Sequence, residues 1–281
     1  MSTPDPTEPR VRQASFDGCA IHVQDDGAGE VTVLLHSSGM SGDQWRRTAE
    51  PLVRGGARAI VPDLLGSGRS APWPEGKPFR FSHDVEVVGS LLEQIGRPVD
   101  LVGHSYGGLI ALHAAAAAPA RVRSLALYDP VAFGVLEPGR DPDAAGDLAR
   151  LTFHWGASAA EHEAWLASFV DYWGGGVGSW GRLREAARAE MVRVGWVVHE
   201  GARTLVADRT PADAYRSLTM PTVLMTGEGS PAAARGVVAR LGEALPGARI
   251  ERFAGAGHMG PLTHVRQFNE ILAAHLAAAR A

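Results

Sequence analysis

The stretch LVGHSYGGLIALHAAAAA, Leu101–Ala118, sets a serine between glycines, with apolar residues before it and an alanine-rich run after it. The residues leading into it, VDLVG (99–103), read as a buried strand, and GLIALHAAAAA (108–118) reads as a helix. The G-x-S-x-G string of Gly103, Ser105 and Gly107 therefore falls at a strand-to-helix junction, the sharp turn that lifts a nucleophile above a sheet. Glycines at the two flanking positions let the chain bend where a Cβ would crowd its neighbours. The helix start also brings a positive dipole end and the free N–H of Tyr106 toward negative charge developing near Ser105. The competing reading makes Ser105 merely a small residue in a glycine-rich turn. With 34 glycines in the chain the string alone does not decide between the two, so the context must.

Working outward, short β-branched and leucine-rich runs recur, each closed by glycine, proline or another turn residue: VTVLLH from 31, ARAIVPD from 57, VDLVGH from 99, SLALYDP from 124, TVLMTG from 222 and ARIERF from 248. These are strands by that pattern. Their near-continuous apolar character suits strands covered on both faces, and the segments 82–95, 106–118 and 231–245 between them read as helices. The alternation predicts an α/β fold, a mostly parallel central sheet with helices on both faces. From about Gly134 to Ser217 no strand pattern appears, while AAGDLARLTFHW, AAEHEAWLASFVDYW and SWGRLREAARAEMVRVGWVVHEGARTLV show helical spacing. The predicted organisation is a tail (1–12), a core (13–133 and 218–281) and an inserted helical cap (134–217). The cap carries Trp155, Trp165, Trp173, Trp180 and Trp196, five of the seven tryptophans, which either fill its own core or face a substrate cavity.

Composition bounds the function. A chain of 281 residues, 45% hydrophobic and 21% charged, can bury a large core without disulfides or metals. A net charge of −4 with scattered Lys and Arg gives no phosphate-neutralising patch, which argues against nucleic acid as a partner. The single Cys19 has no partner in the chain, fits a reducing compartment, and reads as a small packed hydrophobe. MSTPDPTEPR carries three prolines and no apolar core of a signal peptide, and no run approaches the roughly 18 apolar residues of a membrane span. A cytoplasmic protein without membrane contact is expected. The spacing demands no oligomer, and a homodimer stays open.

Four separated motifs, in order, give the chain a resemblance to the α/β-hydrolase superfamily of the serine-nucleophile, helical-cap type. HSSGMSGDQW (36–45) resembles the oxyanion loop, DLLGSGRS (63–70) the D-x-x-G-x-G-x-S turn, GHSYGG (103–108) the nucleophile elbow, and GAGHMGP (255–261) the histidine loop. The resemblance implies that the backbone N–H of Ser38, with Ser37 as the alternative, joins that of Tyr106 in an oxyanion hole. Relatives commonly carry His-Gly where this chain has His36-Ser37, but a backbone donor does not depend on the side chain. His36 is expected to hold the turn, Asp63 to form a turn, and neither to react.

A serine needs a base to attack an ester at neutral pH. The resemblance places that base at His258; His104 adjoins the nucleophile with its side chain expected elsewhere, and His154, His162 and His199 lie in the cap. The third member is unusual. Most relatives carry an aspartate just after the strand that here reads TVLMTG, where this chain has Glu228, Gly229, Ser230 and Pro231, with Ser230 in the aspartate's place. Some members, certain haloalkane dehalogenases among them, seat the acid instead at the end of the strand after the elbow. Asp129 in LALYDPVAF holds that place here. Its competitors are Glu228, a simple Asp-Pro turn, and no acid at all.

Serine at the elbow, rather than the aspartate of dehalogenases and epoxide hydrolases, points to acyl transfer. The expected function is hydrolysis of a carboxylic ester, or a related lactone or acyl bond, of a medium-sized and largely apolar small molecule, with Ser105, His258 and Asp129 catalytic and with no cofactor or metal. Carbon–carbon cleavage of diketones, cofactor-free haloperoxidase activity and a non-catalytic ligand receptor are the alternatives.

Overall fold

The structure, a computed structural model, describes residues 13–281; the tail expected over 1–12 lies outside the described residues. In chain order, β1 (Gln13–Phe16) and β2 (Cys19–Gly27) form a hairpin, followed by β3 (Val31–Leu35), α1 (Arg46–Arg54), β4 (Arg58–Pro62), α2 (Phe81–Ile95), β5 (Val99–His104), α3 (Tyr106–Ala117) and β6 (Val122–Tyr128). The strands make one sheet in the order β1-β2-β4-β3-β5-β6 and onward to β7 (Thr222–Gly227) and β8 (Arg249–Phe253). From β4 to β8 every pairing is parallel, while β1 and β2 run antiparallel at one edge.

Each of the six strands read from the sequence is present, and the physical reason is visible in their side chains. Every residue of β3, β4, β5 and β7 is buried. Successive residues point to opposite faces, so Val33, Leu35, Leu101, Leu125 and Leu127 join the core on one face, while Leu34, Val102, Ala126 and Tyr128 join the core on the other. The first core is closed by Val87 and Leu91 of α2, Leu109 and Leu112 of α3, and Val237 and Leu241 of α9 (Ala232–Ala244), which follows β7. The second is closed by Trp45, Phe268, Leu272 and Leu276, the last three on the C-terminal helix. At roughly 1.5–3 kcal/mol for each fully buried large aliphatic or aromatic side chain, these two layers supply the main drive for folding.

The edge hairpin was not read from the sequence. Its β2 is only half-buried and mixes apolar with charged residues, so it lacks the apolar run that marks the inner strands. Cys19 lies on it, free and packed against the first core, as its reading as a small hydrophobe expects.

Between β6 and β7 the chain forms the inserted helical cap: α4 (Pro142–Leu148), α5 (Ala159–Trp173), α6 (Ser179–Arg182), α7 (Glu185–Arg193) and α8 (Gly195–Ala207). A capping box starts α5, with the Ser158 hydroxyl and the Glu161 carboxylate each accepting the other's backbone N–H. The long helical pattern expected over 179–206 is in fact three helices. Arg184 is extended (ψ 149°) and separates α6 from α7. Gly195 opens α8 where any Cβ would stand 2.8 Å from the Trp155 ring, so the absence of a side chain lets α8 pack closely. The chain returns through β7, α9 and β8 to α10 (Gly260–Thr263) and α11 (Val265–Arg280).

The chain leaves β3 toward β4 on one side and crosses to β5 on the other. The connections after β3 and β5 thus part company above the C-terminal ends of neighbouring strands, the place where open α/β sheets bind ligands.

Candidate active site

Ser105 sits at the end of β5 with φ 55° and ψ −116°, a conformation that costs a non-glycine residue free energy and that the surroundings must enforce. They do so through the two glycines singled out in the sequence. A Cβ on Gly103 would lie 2.4 Å from the Gly107 carbonyl oxygen, and one on Gly107 would lie 2.2 Å from that of Leu35. Only glycine allows β5, α3 and the end of β3 to meet this closely. Ser105 N–H donates to Tyr128 O (2.9 Å), which locks the turn to β6.

The loop after β3 is held by side chains as well as by its own backbone, in which Met40 N–H donates to Ser37 O (3.2 Å) and Gln44 N–H to Ser41 O (3.0 Å). His36 Nδ1–H donates to Ser37 O (2.8 Å), and its Nε2 accepts from Leu64 N–H (2.9 Å). Burial holds its imidazole below the usual histidine range, in keeping with a neutral turn-holding role. Asp63 accepts from Gly42 N–H (2.6 Å) and Arg69 N–H (2.9 Å), joining two loops. The Ser37 N–H is spent on Gln44 Oε1 (3.0 Å). Among the described residues the Ser38 N–H has no such partner, and Ser38 lines the same cavity as Ser105. The Tyr106 N–H stands at the first position of α3, where helical N–H groups have no intrahelical acceptor.

His258 lies between β8 and α10 with its side chain 2% exposed. Its Nδ1 hydrogen bonds to Asp129 Oδ2 at 3.1 Å, which brings the Asp129 carboxylate to the imidazole. Asp129 ends β6 at φ 44°, a left-handed conformation that aspartate tolerates better than most residues, and its carboxylate is fully buried. Glu228, the competing acid, is exposed and makes no hydrogen bond to His258. Ser230 is buried and donates its hydroxyl to Asp129 Oδ2 at 2.6 Å. The loop bearing His258 is pinned further by Tyr128, whose hydroxyl donates to Gly257 O (2.8 Å), and Gly260 is required because a Cβ there would overlap that hydroxyl.

The His104 side chain points into a buried chain of hydrogen bonds that the sequence did not reveal. Gln44 Nε2 donates to His104 Nδ1 (3.1 Å), and His104 Nε2–H donates to the His258 carbonyl (2.8 Å). With the Ser37 N–H on Gln44 Oε1, this ties the loop after β3 to the histidine loop across the base of the site. Burial, and then the neighbouring His258, holds His104 well below the usual imidazole range, so it stays neutral. The Gln44 amide in HSSGMSGDQW was the available signal, but its partner His104 lies 60 residues away.

Ser38 and Ser105 open into a cavity of about 500 Å3 between sheet and cap. Its apolar wall comes from Val131 and Phe133 after β6, from Phe153, Trp165, Phe169 and Trp173 of the cap, and from Leu205 of α8. Of the five cap tryptophans, Trp165 and Trp173 thus face the cavity, Trp155 and Trp180 pack in the cap's own cluster, and Trp196 packs on the sheet core. Trp173 also covers His258, their ring centroids 4.2 Å apart. Beneath the elbow, Asp84 accepts from the Tyr106 hydroxyl (2.7 Å) and Leu65 N–H (2.9 Å), and burial lifts its carboxyl to about 7.

Among the described residues no group of three or more His, Cys, Asp or Glu is placed to hold a metal, and no helix is long and apolar enough to cross a membrane.

Comparisons with known proteins agree with this architecture. Residues 31–265 match the family model described as alpha/beta hydrolase fold. A pimeloyl-[acyl-carrier protein] methyl ester esterase from Chromobacterium violaceum is 31% identical over 261 residues, covering 91% of this chain and 98% of its own. Lipase LipV of Mycobacterium tuberculosis is 42% identical over 113 residues, a match that spans 39% of this chain and 41% of the lipase. Among solved structures, an esterase from Exiguobacterium antarcticum superposes with a TM-score of 0.72 at 20% identity, over 96% of this chain and 99% of its own. Sheet order, glycine-enforced elbow and family match together make this chain a member of the α/β-hydrolase family.

Proposed function

We propose that the protein is a serine hydrolase that cleaves a carboxylic ester, or a related lactone or acyl bond, of a medium-sized and largely apolar small molecule. The observation that carries this reading is the buried Asp129 Oδ2–His258 Nδ1 hydrogen bond, at the same sheet edge as a serine held in a strained turn. The carboxylate accepts from Nδ1–H, fixing the tautomer in which Nε2 is the acceptor. Ser105 Oγ attacks the substrate carbonyl carbon while His258 Nε2 takes the hydroxyl proton. Charge collecting on the carbonyl oxygen is met by the N–H groups of Ser38 and Tyr106. Collapse of the tetrahedral adduct expels the alcohol, which receives the proton from His258 and leaves an ester on Ser105. Water, deprotonated by the same imidazole, then releases the acid and restores the serine.

The cavity supports the substrate class. Its volume is that of a small-molecule site, and its aromatic lining favours an apolar acyl or alcohol portion. The names of the methyl ester esterase and the lipase among the relatives support ester chemistry. The test is labelling with a fluorophosphonate probe beside a panel of p-nitrophenyl esters of rising chain length. Wild type is expected to be labelled and to turn over esters of intermediate length, and Ser105→Ala to do neither. An unlabelled wild type that binds ligands without turning over any ester would point to a receptor and overturn the proposal.

A further inference from the structure

The position that most relatives give to the acid is filled here by Ser230, and its hydrogen bonds are informative. Its Oγ lies 2.6 Å from Asp129 Oδ2 and 3.2 Å from the backbone nitrogen of Gly227. A backbone N–H can only donate, so it occupies an acceptor site on the hydroxyl and leaves the O–H to point at the carboxylate. The carboxylate depends on that donor. Asp129 Oδ1 is buried without a hydrogen-bond partner among the described residues, and both donors to the group, Ser230 and His258, converge on Oδ2. A buried carboxylate so sparsely solvated is held in its orientation by few contacts, and losing one frees it to rotate away from the imidazole.

We infer that Ser230 is a positioning residue that aims Asp129 Oδ2 at His258, and that its site remains within reach of the same imidazole as a second seat for the acid. This rests on the reading of Asp129 as the catalytic acid. The geometry allows the second seat. Ser230 Oγ and His258 Nδ1 share Oδ2 as a neighbour, at 2.6 and 3.1 Å, and an aspartate side chain reaches about one bond farther than a serine. In Asp129→Asn/Ser230→Asp, the amide at 129 becomes the donor and the carboxylate at 230 the acceptor, so the local hydrogen bond survives with its direction reversed.

The experiment measures kcat and KM of p-nitrophenyl butyrate for wild type, Ser230→Ala, Asp129→Asn and Asp129→Asn/Ser230→Asp, each first checked for an unchanged thermal midpoint. Ser230→Ala is expected to lower kcat about 10- to 100-fold with KM within about 2-fold, the size of a hydrogen bond to a charged group. Asp129→Asn is expected to lower kcat by roughly 10³- to 10⁴-fold, as in other triads. The double variant is expected to recover at least about 10-fold over Asp129→Asn, a gain that a merely structural serine would not give. Full activity in Asp129→Asn would refute the acid assignment itself. With that assignment intact, wild-type kcat in Ser230→Ala, or no recovery in the double variant, would overturn the inference.

Discussion

Two fully buried aspartates stand at opposite ends of the sheet centre, Asp100 near the start of β5 and Asp129 at the end of β6, and each takes a hydrogen bond from a serine. At Asp100 both oxygens are satisfied. Ser124 donates to Oδ1 (2.7 Å), while Arg280 (2.6 Å) and Arg123 (3.3 Å) reach Oδ2 with charges that no accessible pH removes. At Asp129, among the described residues, one oxygen has no hydrogen-bond partner and the only ionisable donor is an imidazole. The first carboxylate fastens the C-terminal helix α11 to the sheet. The second is left under-satisfied at the edge where the proposed chemistry takes place, and a fold tolerates imperfect solvation where a moving proton requires it.

The contrast is broken most directly by replacing each acid with its amide. Asp129→Asn should cost activity and almost no stability, whereas Asp100→Asn should leave kcat per folded molecule near wild type and cost about 2–3 kcal/mol in urea unfolding. That sits under the penalty for breaking a fully buried pair, because Arg123 and Arg280 remain partly in water. Equal losses of activity from both would erase the distinction.

A third carboxylate sharpens it. Asp84, behind the elbow, takes its hydrogen bonds from two neutral donors, Leu65 N–H and the Tyr106 hydroxyl, and burial lifts its carboxyl to about 7 from an ordinary value near 3.8. The unfolded chain therefore releases its proton first. The stabilising contribution is complete below about pH 4 and declines as pH rises to about 7, by up to about 4 kcal/mol on linkage. Asp84→Asn should flatten that decline, so the variant gains on wild type between pH 5 and pH 8 in paired urea titrations. A constant difference would show that burial does not hold the proton there.

The smallest expected effect concerns Trp173, which covers the His258 ring. A π-face on an imidazolium is worth about 0.5–2 kcal/mol, so Trp173→Leu should lower kcat/KM by roughly 2- to 30-fold, while Trp173→Phe should retain most of it. Equal losses in both variants would assign the tryptophan to cavity shape alone.

Much of this was legible in the sequence, for physical reasons that also explain the gaps. Strands buried on both faces write themselves as apolar runs, and the elbow shows because only glycine fits beside Ser105. The half-exposed β2 carries no such run. His258, Asp129 and Ser105 were named in advance from motif resemblance, and the structure brings the first two into hydrogen-bond contact. What stayed hidden depends on partners distant along the chain: the Gln44–His104 link spans 60 residues, His104–His258 spans 154, and Ser230–Asp129 spans 101. In the sequence Ser230 shows only as a serine in the aspartate's place, because its hydroxyl meets Asp129 only once β6 and β7 lie side by side.

Placing Asp129, the proposed acid, directly after β6 puts it ahead of the cap insertion, in the same half of the chain as Ser105. The carboxylate in the turn following β7, Glu228, is exposed, and two other residues of the turn, Gly229 and Pro231, border the cavity. The turn's two cavity-lining positions are thereby available to sculpt the chamber, so changes in preferred substrate can accumulate at Gly229 and Pro231 while Ser230, between them, keeps its hold on Asp129.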